Sequence, residues 1–134
     1  MNLYRQAVTI PGLPSLENRF QHWRKTQKER LHWQQLVAYA FSGKKPKKPL
    51  EKCVLIYTRC TADAPDFDNM TLSYKGVQDG LVKAGIIKDD TLAVIVDRGY
   101  FFEKTSRKDA CIKIEVMEVT ENYRPRQPQD IIPI

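Results

Sequence analysis

The chain has 134 residues, enough for one domain with a single core and too few for two domains of ordinary size. Its 42% hydrophobic and 28% charged content excludes a disordered or fibrous chain, and no apolar run approaches the roughly 18 residues of a membrane-spanning helix. The formal net charge of +6 is unevenly spread: residues 63–90 hold six aspartates against three lysines, a net −3, so the remainder carries +9. An acidic patch inside a basic chain suits a metal-dependent enzyme that acts on a polyanion, with basic surface collecting phosphates and carboxylates holding the cation. Charge alone equally allows lysines that serve only solubility.

The opening MNLYRQAVTI lacks a basic segment followed by an apolar one, so no signal peptide is expected and the expected compartment is the cytoplasm. Cys53, Cys60 and Cys111 are an odd number with no CxxC spacing, which predicts three buried free thiols. His22 and His32 lie outside any ligand-like cluster, so zinc is not expected and packing or surface roles are.

In chain order, residues 3–10 predict a strand with Tyr4, Val8 and Ile10 on one face, ended by Pro11, Gly12 and Pro14. Ser15 is a candidate N-cap for a long helix from Leu16 to about Phe41, whose apolar positions include Trp23, Trp33, Leu36, Val37 and Ala40. Its middle, RKTQKER from Arg24 to Arg30, reads as a solvated face, a break between two helices or a DNA-facing surface. Residues 43–49, GKKPKKP, are a loop in which Lys44, Lys45, Lys47 and Lys48 either contact phosphate or keep a connector soluble.

KCVLIYTRC over 52–60 is the clearest strand. Thr71 or Ser73 is expected to cap a helix from about Tyr74 to Ala84, closed by Gly85 at the C′ position. On that helix Gly76, Gly80 and Ala84 form a smooth strip suited to close packing against a sheet or another chain. TLAVIVD over 91–97 predicts another strand, with Gly99 turning the chain and Tyr100–Phe102 continuing as an edge strand or hairpin. Residues 104–108 read as a basic loop, and CIKIEVMEV over 111–119 as a strand with one wet face. After Asn122 a tail with three prolines is expected to lack regular structure and either to pack on a partner subunit or to be partly disordered. The order predicts a single α+β domain over 1–134: a mixed sheet of four or five strands, covered on one side by the long N-terminal helix and a second helix.

The densest chemistry lies between Asp66 and Asp90. On extended backbone Asp66 and Asp68 would point the same way. If the strand from Thr91 neighbours the strand ending at Cys60, then Asp89 and Asp90 bring three or four carboxylates to one sheet edge. Oxygen-only ligands select hard cations, and few carboxylates completed by waters and substrate phosphate suit magnesium, with manganese in its place. Such an ion would neutralise a scissile phosphate and activate water. Lys75 would orient a carboxylate or stabilise charge on the leaving group, unless it is only a surface ion pair with Asp79 four residues on. A calcium loop counted from Asp66 fails, because its fifth, sixth and twelfth positions are Met70, Thr71 and Val77. Turn and cap roles account for Asn69 and one of Asp89 or Asp90, and less readily for Asp66 and Asp68 together.

TIPGLPSLENRF, DFDN, KGVQDGLVKAGIIKDD and the closing CIKIEVMEV resemble, over nearly the whole length, the RusA family of Holliday junction resolvases of bacteria and their prophages. The resemblance implies a magnesium-dependent homodimeric endodeoxyribonuclease that cuts four-way DNA junctions by paired nicks, in recombination and repair. Position by position, the essential aspartates fall on Asp66, Asp68 and Asp90 and the essential lysine on Lys75, while Asp89, Asn69 and Asp79 match further motif positions. The chain departs from the prototype in two places. Leu72 stands four residues after Asp68 where the lysine is expected, so that Lys75 aligns only with three extra residues in 70–74, and one residue is gained near Glu17. Arg24, Lys25, Lys44, Lys45, Lys47, Lys48, Lys104 and Arg107 are candidate phosphate contacts. Two other readings stand beside this one: a branched-DNA-binding protein without cleavage activity, and a nuclease acting on forks or flaps.

Overall fold

The computed structural model describes residues 2–16 and 23–127. Four strands form one sheet: β1 (Arg5–Pro11), β2 (Cys53–Thr61), β3 (Ile95–Lys104) and β4 (Cys111–Glu118), in the order β1-β4-β2-β3. β4 runs antiparallel to both β1 and β2, whereas β2 and β3 are parallel, so the sheet is mixed. Three helices accompany it: α1 (Trp23–Ala40), α2 (Phe67–Ser73) and α3 (Lys75–Lys83). The chain is thus a single-sheet α+β fold, as its element order predicts.

Alternation places the core. In β4 Ile112, Ile114 and Val116 are fully buried while Lys113 between them is exposed, and in β2 Cys53, Leu55 and Tyr57 turn to the same face. Val8 and Ile10 of β1 extend this apolar face, and Trp33, Val37 and Phe41 from α1 with Val77 and Leu81 from α3 cover it. The three cysteines are free thiols, but only Cys53 and Cys60 are buried; Cys111, directly opposite Cys60 in the β2–β4 register, is only partly buried.

α1 and α3 meet backbone to backbone. A Cβ at Gly76 would stand 2.8 Å from Arg30 Cα, and one at Gly80 3.0 Å from Gln34 Cα. The smooth strip therefore serves helix packing within the chain. α3 ends as predicted: Gly85, at φ +78°, donates to Val82 O at 3.1 Å, and Ile86 donates to Leu81 O at 3.0 Å, with both Leu81 and Ile86 buried.

Several boundaries differ from the sequence reading. α1 is continuous through Arg24–Arg30, so there is no break. Leu16 is not helical, and the remainder of the expected helix start, with His22, lies outside the described residues, as does the tail beyond Gln127. The strand expected at 91–97 begins only at Ile95, because Thr91 O accepts the N–H groups of both Val94 and Ile95 and holds 91–94 in a turn. It then runs straight through Gly99 to Lys104 as an edge strand, one of the two expected forms. Of the expected basic loop, Lys104 ends β3, while Arg107 and Lys108 belong to a short 3-10 turn, Arg107–Asp109.

The start of the tail packs on its own chain. Arg126 donates through Nε and Nη2 to the two oxygens of Asp97, at 2.7 and 2.8 Å, and through Nη2 to Arg98 O at 3.0 Å. The Arg126 hydrogen bonds hold the Asp97 carboxyl below its ordinary value of 3.8, against the upward push of burial. A depressed folded value means that the clamp is fully present above the unfolded carboxylate value and is lost as the pH falls through the folded one. The Asp97 carboxyl carbon is therefore expected to titrate below 3.8 in a carbon-detected NMR series, and Arg126→Ala to move that midpoint upward. An unmoved midpoint would show that the clamp is absent in solution.

Candidate active site

The Asp66–Asp68 pair does not lie on one extended stretch: Asp66 keeps an extended backbone as the residue before α2, whereas Asp68 is already helical. Asp66 is the N-cap of α2, its Oδ1 accepting the Asp68 N–H at 3.3 Å and its Oδ2 the Asn69 side-chain amide at 3.4 Å. Asp68 falls in the first turn of α2, where a carboxylate is favoured by the helix dipole. The expected caps at Thr71 and Ser73 are not caps: their hydroxyls donate back to Asp68 O and Met70 O within α2. Tyr74 joins α2 to α3 and caps α3 without a side-chain hydrogen bond.

Parallel pairing decides where the second acidic pair lies. The chain leaves β2 at Thr61 beside Lys104 but enters β3 at Ile95 beside Cys53, so Asp66–Asp68 and Asp89–Asp90 are approached from opposite ends of the sheet. The expected convergence at one strand edge therefore does not follow from β2 and β3 being neighbours. Lys75, the first residue of α3, makes the connection instead. Its Nζ lies 3.2 Å from Asp79 Oδ1 and 3.5 Å from Asp90 Oδ2, so three of the motif positions meet at one ammonium. Lys75 is in this respect more than the local pair with Asp79. Asp90 and Asp79 are part-buried, whereas Asp66, Asp68 and Asp89 are exposed, and Asp89 Oδ1 accepts the Asp90 N–H at 2.8 Å.

Beneath these groups is a layer of aromatic rings. Tyr57 stacks on Tyr74 at 4.5 Å between centroids and on Tyr100 at 5.4 Å, and Phe67, between the two α2 aspartates, meets Tyr100 edge-on at 6.3 Å. Burial pushes the Tyr57 and Tyr74 hydroxyls up, so both stay neutral across the physiological range. The stack gives α2 and the start of α3 a stiff floor, with Phe67 itself left exposed at 58%.

Two arginines in this region escaped the sequence reading. Arg59 of β2 is only 6% exposed and donates through Nη1 to Pro14 O at 2.7 Å, tying down the loop after β1, where the Ser15 N–H also donates to Glu29 Oε1. Arg98 of β3 donates through Nη2 to the Asp90 carbonyl at 3.2 Å. The signal that could have found them is strand parity: Arg59 shares the inward face with Leu55 and Tyr57, and Arg98 is paired with Leu55.

The basic candidates are not gathered around the acidic groups. Lys44, Lys45, Lys47 and Lys48 are exposed between α1 and β2, and Lys104, the last residue of β3, and Arg107 just after it are exposed at the opposite end of the sheet. Arg107 lies 3.9 Å from Asp63, and Arg24 and Lys25 are exposed in the first turn of α1. Cations so distributed suit a long polyanion better than a small phosphate compound.

The donor chemistry of Asp66, Asp68 and Asp90 suits a hard cation, and the hydrogen bonds on Asp66 are long enough for a cation to displace. Among the described residues no three His, Cys, Asp or Glu side chains stand close enough to enclose a metal ion. The carboxylates are therefore available singly or in pairs, an arrangement compatible with magnesium, which binds through one or two carboxylates with waters and phosphate oxygens. No helix among the described residues is long and apolar enough to cross a membrane. Comparison with the models of known protein families and with curated proteins finds no match.

Proposed function

We propose that this chain is a magnesium-dependent endonuclease of the RusA type, resolving four-way DNA junctions by paired symmetric nicks. The observation that carries the reading is the Lys75 ammonium, which joins Asp79 on its own helix to Asp90 on the far side of the loop before β3. These are three of the residues that the resemblance singles out, and they meet although the three extra residues expected in 70–74 fall not in a loop but in α2 and its link to α3. The acidic region within a chain of +9 elsewhere is the second support.

In this reading one or two of the carboxylates of Asp66, Asp68, Asp90 and Asp89 would hold the cation together with waters and phosphate oxygens, with manganese able to replace magnesium. The ion would supply neutralisation of the scissile phosphate and a water acidified for attack. Lys75 holds Asp90 in place and offers an ammonium to the charge that develops on the leaving oxygen. Asn69 fixes the Asp66 carboxylate through its amide, and Asp79 keeps Lys75 turned toward Asp90. The cations at residues 24–25, 44–48 and 104–107 bind backbone phosphates. A homodimer would set two such sites about a two-fold axis, matching the symmetry of a junction. The proposed setting is cytoplasmic recombination and repair.

The test is a synthetic four-way junction incubated with magnesium and, separately, with chelator. Symmetric nicks are expected only with the metal, and Asp68→Asn is expected to bind the junction without cutting it. Cleavage by Asp66→Asn and Asp68→Asn at the unaltered rate would sink the assignment. A junction-binding protein without cleavage activity is the second reading, favoured by the lack of any three-ligand cluster among the described residues. Binding with no cutting under magnesium or manganese would establish it, and faster cutting of forks or flaps than of junctions would change the substrate.

A further inference from the structure

Arg98 is a half-buried arginine without an anionic partner among the described residues. The nearest carboxylate in sequence, Asp97, is taken by Arg126. The Arg98 guanidinium donates from Nη2 to the Asp90 carbonyl at 3.2 Å and also interacts with the Tyr100 hydroxyl, while its Nε is buried with no partner. Its charge is felt by Tyr57, Tyr100 and Cys53, where it opposes the upward push that burial exerts on their hydroxyls and thiol. A cation buried without a counter-ion is unfavourable for the fold, and an aliphatic side chain paired with Leu55 would avoid that loss. The Arg98 backbone is held as well: its N–H donates to Asp97 Oδ1 at 2.8 Å and its carbonyl accepts from Arg126 at 3.0 Å.

The turn that Arg98 reaches is flanked by backbone bonds, from Lys88 to Leu50 O at 2.9 Å before it and from Cys53 to Val94 O at 2.8 Å after it. Asp90 donates its N–H to its own neighbour Asp89, and the next backbone bonds are those from Val94 and Ile95 to Thr91 O. The two ends of Asp90 are therefore gripped from different elements, its carboxylate by Lys75 of α3 and its carbonyl by Arg98 of β3. We propose that Arg98 is the positioning residue for Asp90, holding the Asp89–Asp90 turn so that the Asp90 carboxylate faces Lys75 and the cation site. This rests on the nuclease reading for its catalytic meaning, but the positioning itself is measurable without DNA or metal.

The experiment compares the full chain with Arg98→Met and Arg98→Lys. Amide hydrogen exchange over residues 90–95, measured without DNA or metal, is expected to quicken in Arg98→Met and to be partly restored in Arg98→Lys. The magnesium concentration for half-maximal junction cleavage is expected to rise about tenfold in Arg98→Met, the scale of losses when a group behind a metal ligand is removed, with metal-free junction affinity unchanged. Unaltered exchange at residues 90–95 in a folded Arg98→Met protein overturns the proposal. Should Arg98→Met not fold, Arg98→Lys decides by the same two readouts, since one amine cannot reproduce the guanidinium's reach to the Asp90 carbonyl. If the unaltered protein cuts no DNA, the nuclease reading fails alone, and the exchange data still decide whether Arg98 holds the turn.

Discussion

Gly76→Ala is expected to lower the stability of the protein by about 2–3 kcal/mol, the upper part of the range for overpacking a filled interior. Alanine is the better helix former by up to about 1 kcal/mol, so an exposed glycine in α3 would gain from the change. Here the new methyl would stand 2.8 Å from Arg30 Cα and 3.0 Å from Arg30 O, and both neighbours are backbone. No rotamer relieves such a contact, and α1 would have to move away from α3 along much of its length. At roughly 3–5 °C per kcal/mol for a chain of this size, the melting temperature should fall by about 6–15 °C. Gly80→Ala meets Gln34 Cα at 3.0 Å and the Val37 side chain at 3.1 Å, so its effect should be smaller. An unchanged or raised melting temperature for Gly76→Ala would show that the two helices are further apart in solution.

Lys75→Met, one position earlier, is expected to do the reverse. Its pairs with Asp79 and Asp90 are surface ones, the lysine side chain being 44% exposed, and such pairs contribute about 0–1 kcal/mol. The melting temperature should therefore barely move. In the proposed enzyme, however, the ammonium is a fixed donor at the site of charge development, and removing one such donor lowers turnover about 10²–10³-fold. Junction cleavage measured beside a thermal melt separates the two effects. A cleavage rate within threefold of the unaltered protein would remove Lys75 from the mechanism and leave it a helix-surface residue. The adjacent pair thus provides an internal control, one substitution acting on packing and the other on chemistry.

Periodicity made β4 and the inner half of β2 legible, because Ile112, Ile114 and Val116 alternate with residues that face away from the helices. The start of β3 was not legible, since Thr91–Val94 is as apolar as the strand that follows and only the doubly accepting Thr91 carbonyl makes it a turn. α2 was hidden for a different reason. Asp66 followed by Phe67 and Met70 is a good helix start, but the Asp-x-Asp spacing also fits an extended ligand pair, and the choice depends on the Asp66 side chain accepting the Asp68 N–H. Of the site, the carboxylates and Lys75 could be chosen by residue type and spacing. Arg59 could have been found only by its parity with Leu55 and Tyr57 in β2, and Arg98 only once its pairing with Leu55 across the sheet is known.

The position of β4 between β1 and β2 has a consequence for how the protein is made. Of the strands of this sheet β1 leaves the ribosome first and β4 last, yet Arg5 pairs with Met117 and Pro11 with Cys111, so β1 has no hydrogen-bonded neighbour in the sheet until residues 111–117 have emerged. Up to that point the nascent chain can form α1, α3 and the parallel β2–β3 pair, whose inner face, Leu55 and Tyr57 included, lacks the cover that β4 later completes. Pairing across more than a hundred residues of chain carries a large loop-closure entropy and places the protein among slow folders. The sheet can therefore close only after β4 has been made, and a chain interrupted before Cys111 leaves two unpaired strand edges open to other polypeptides.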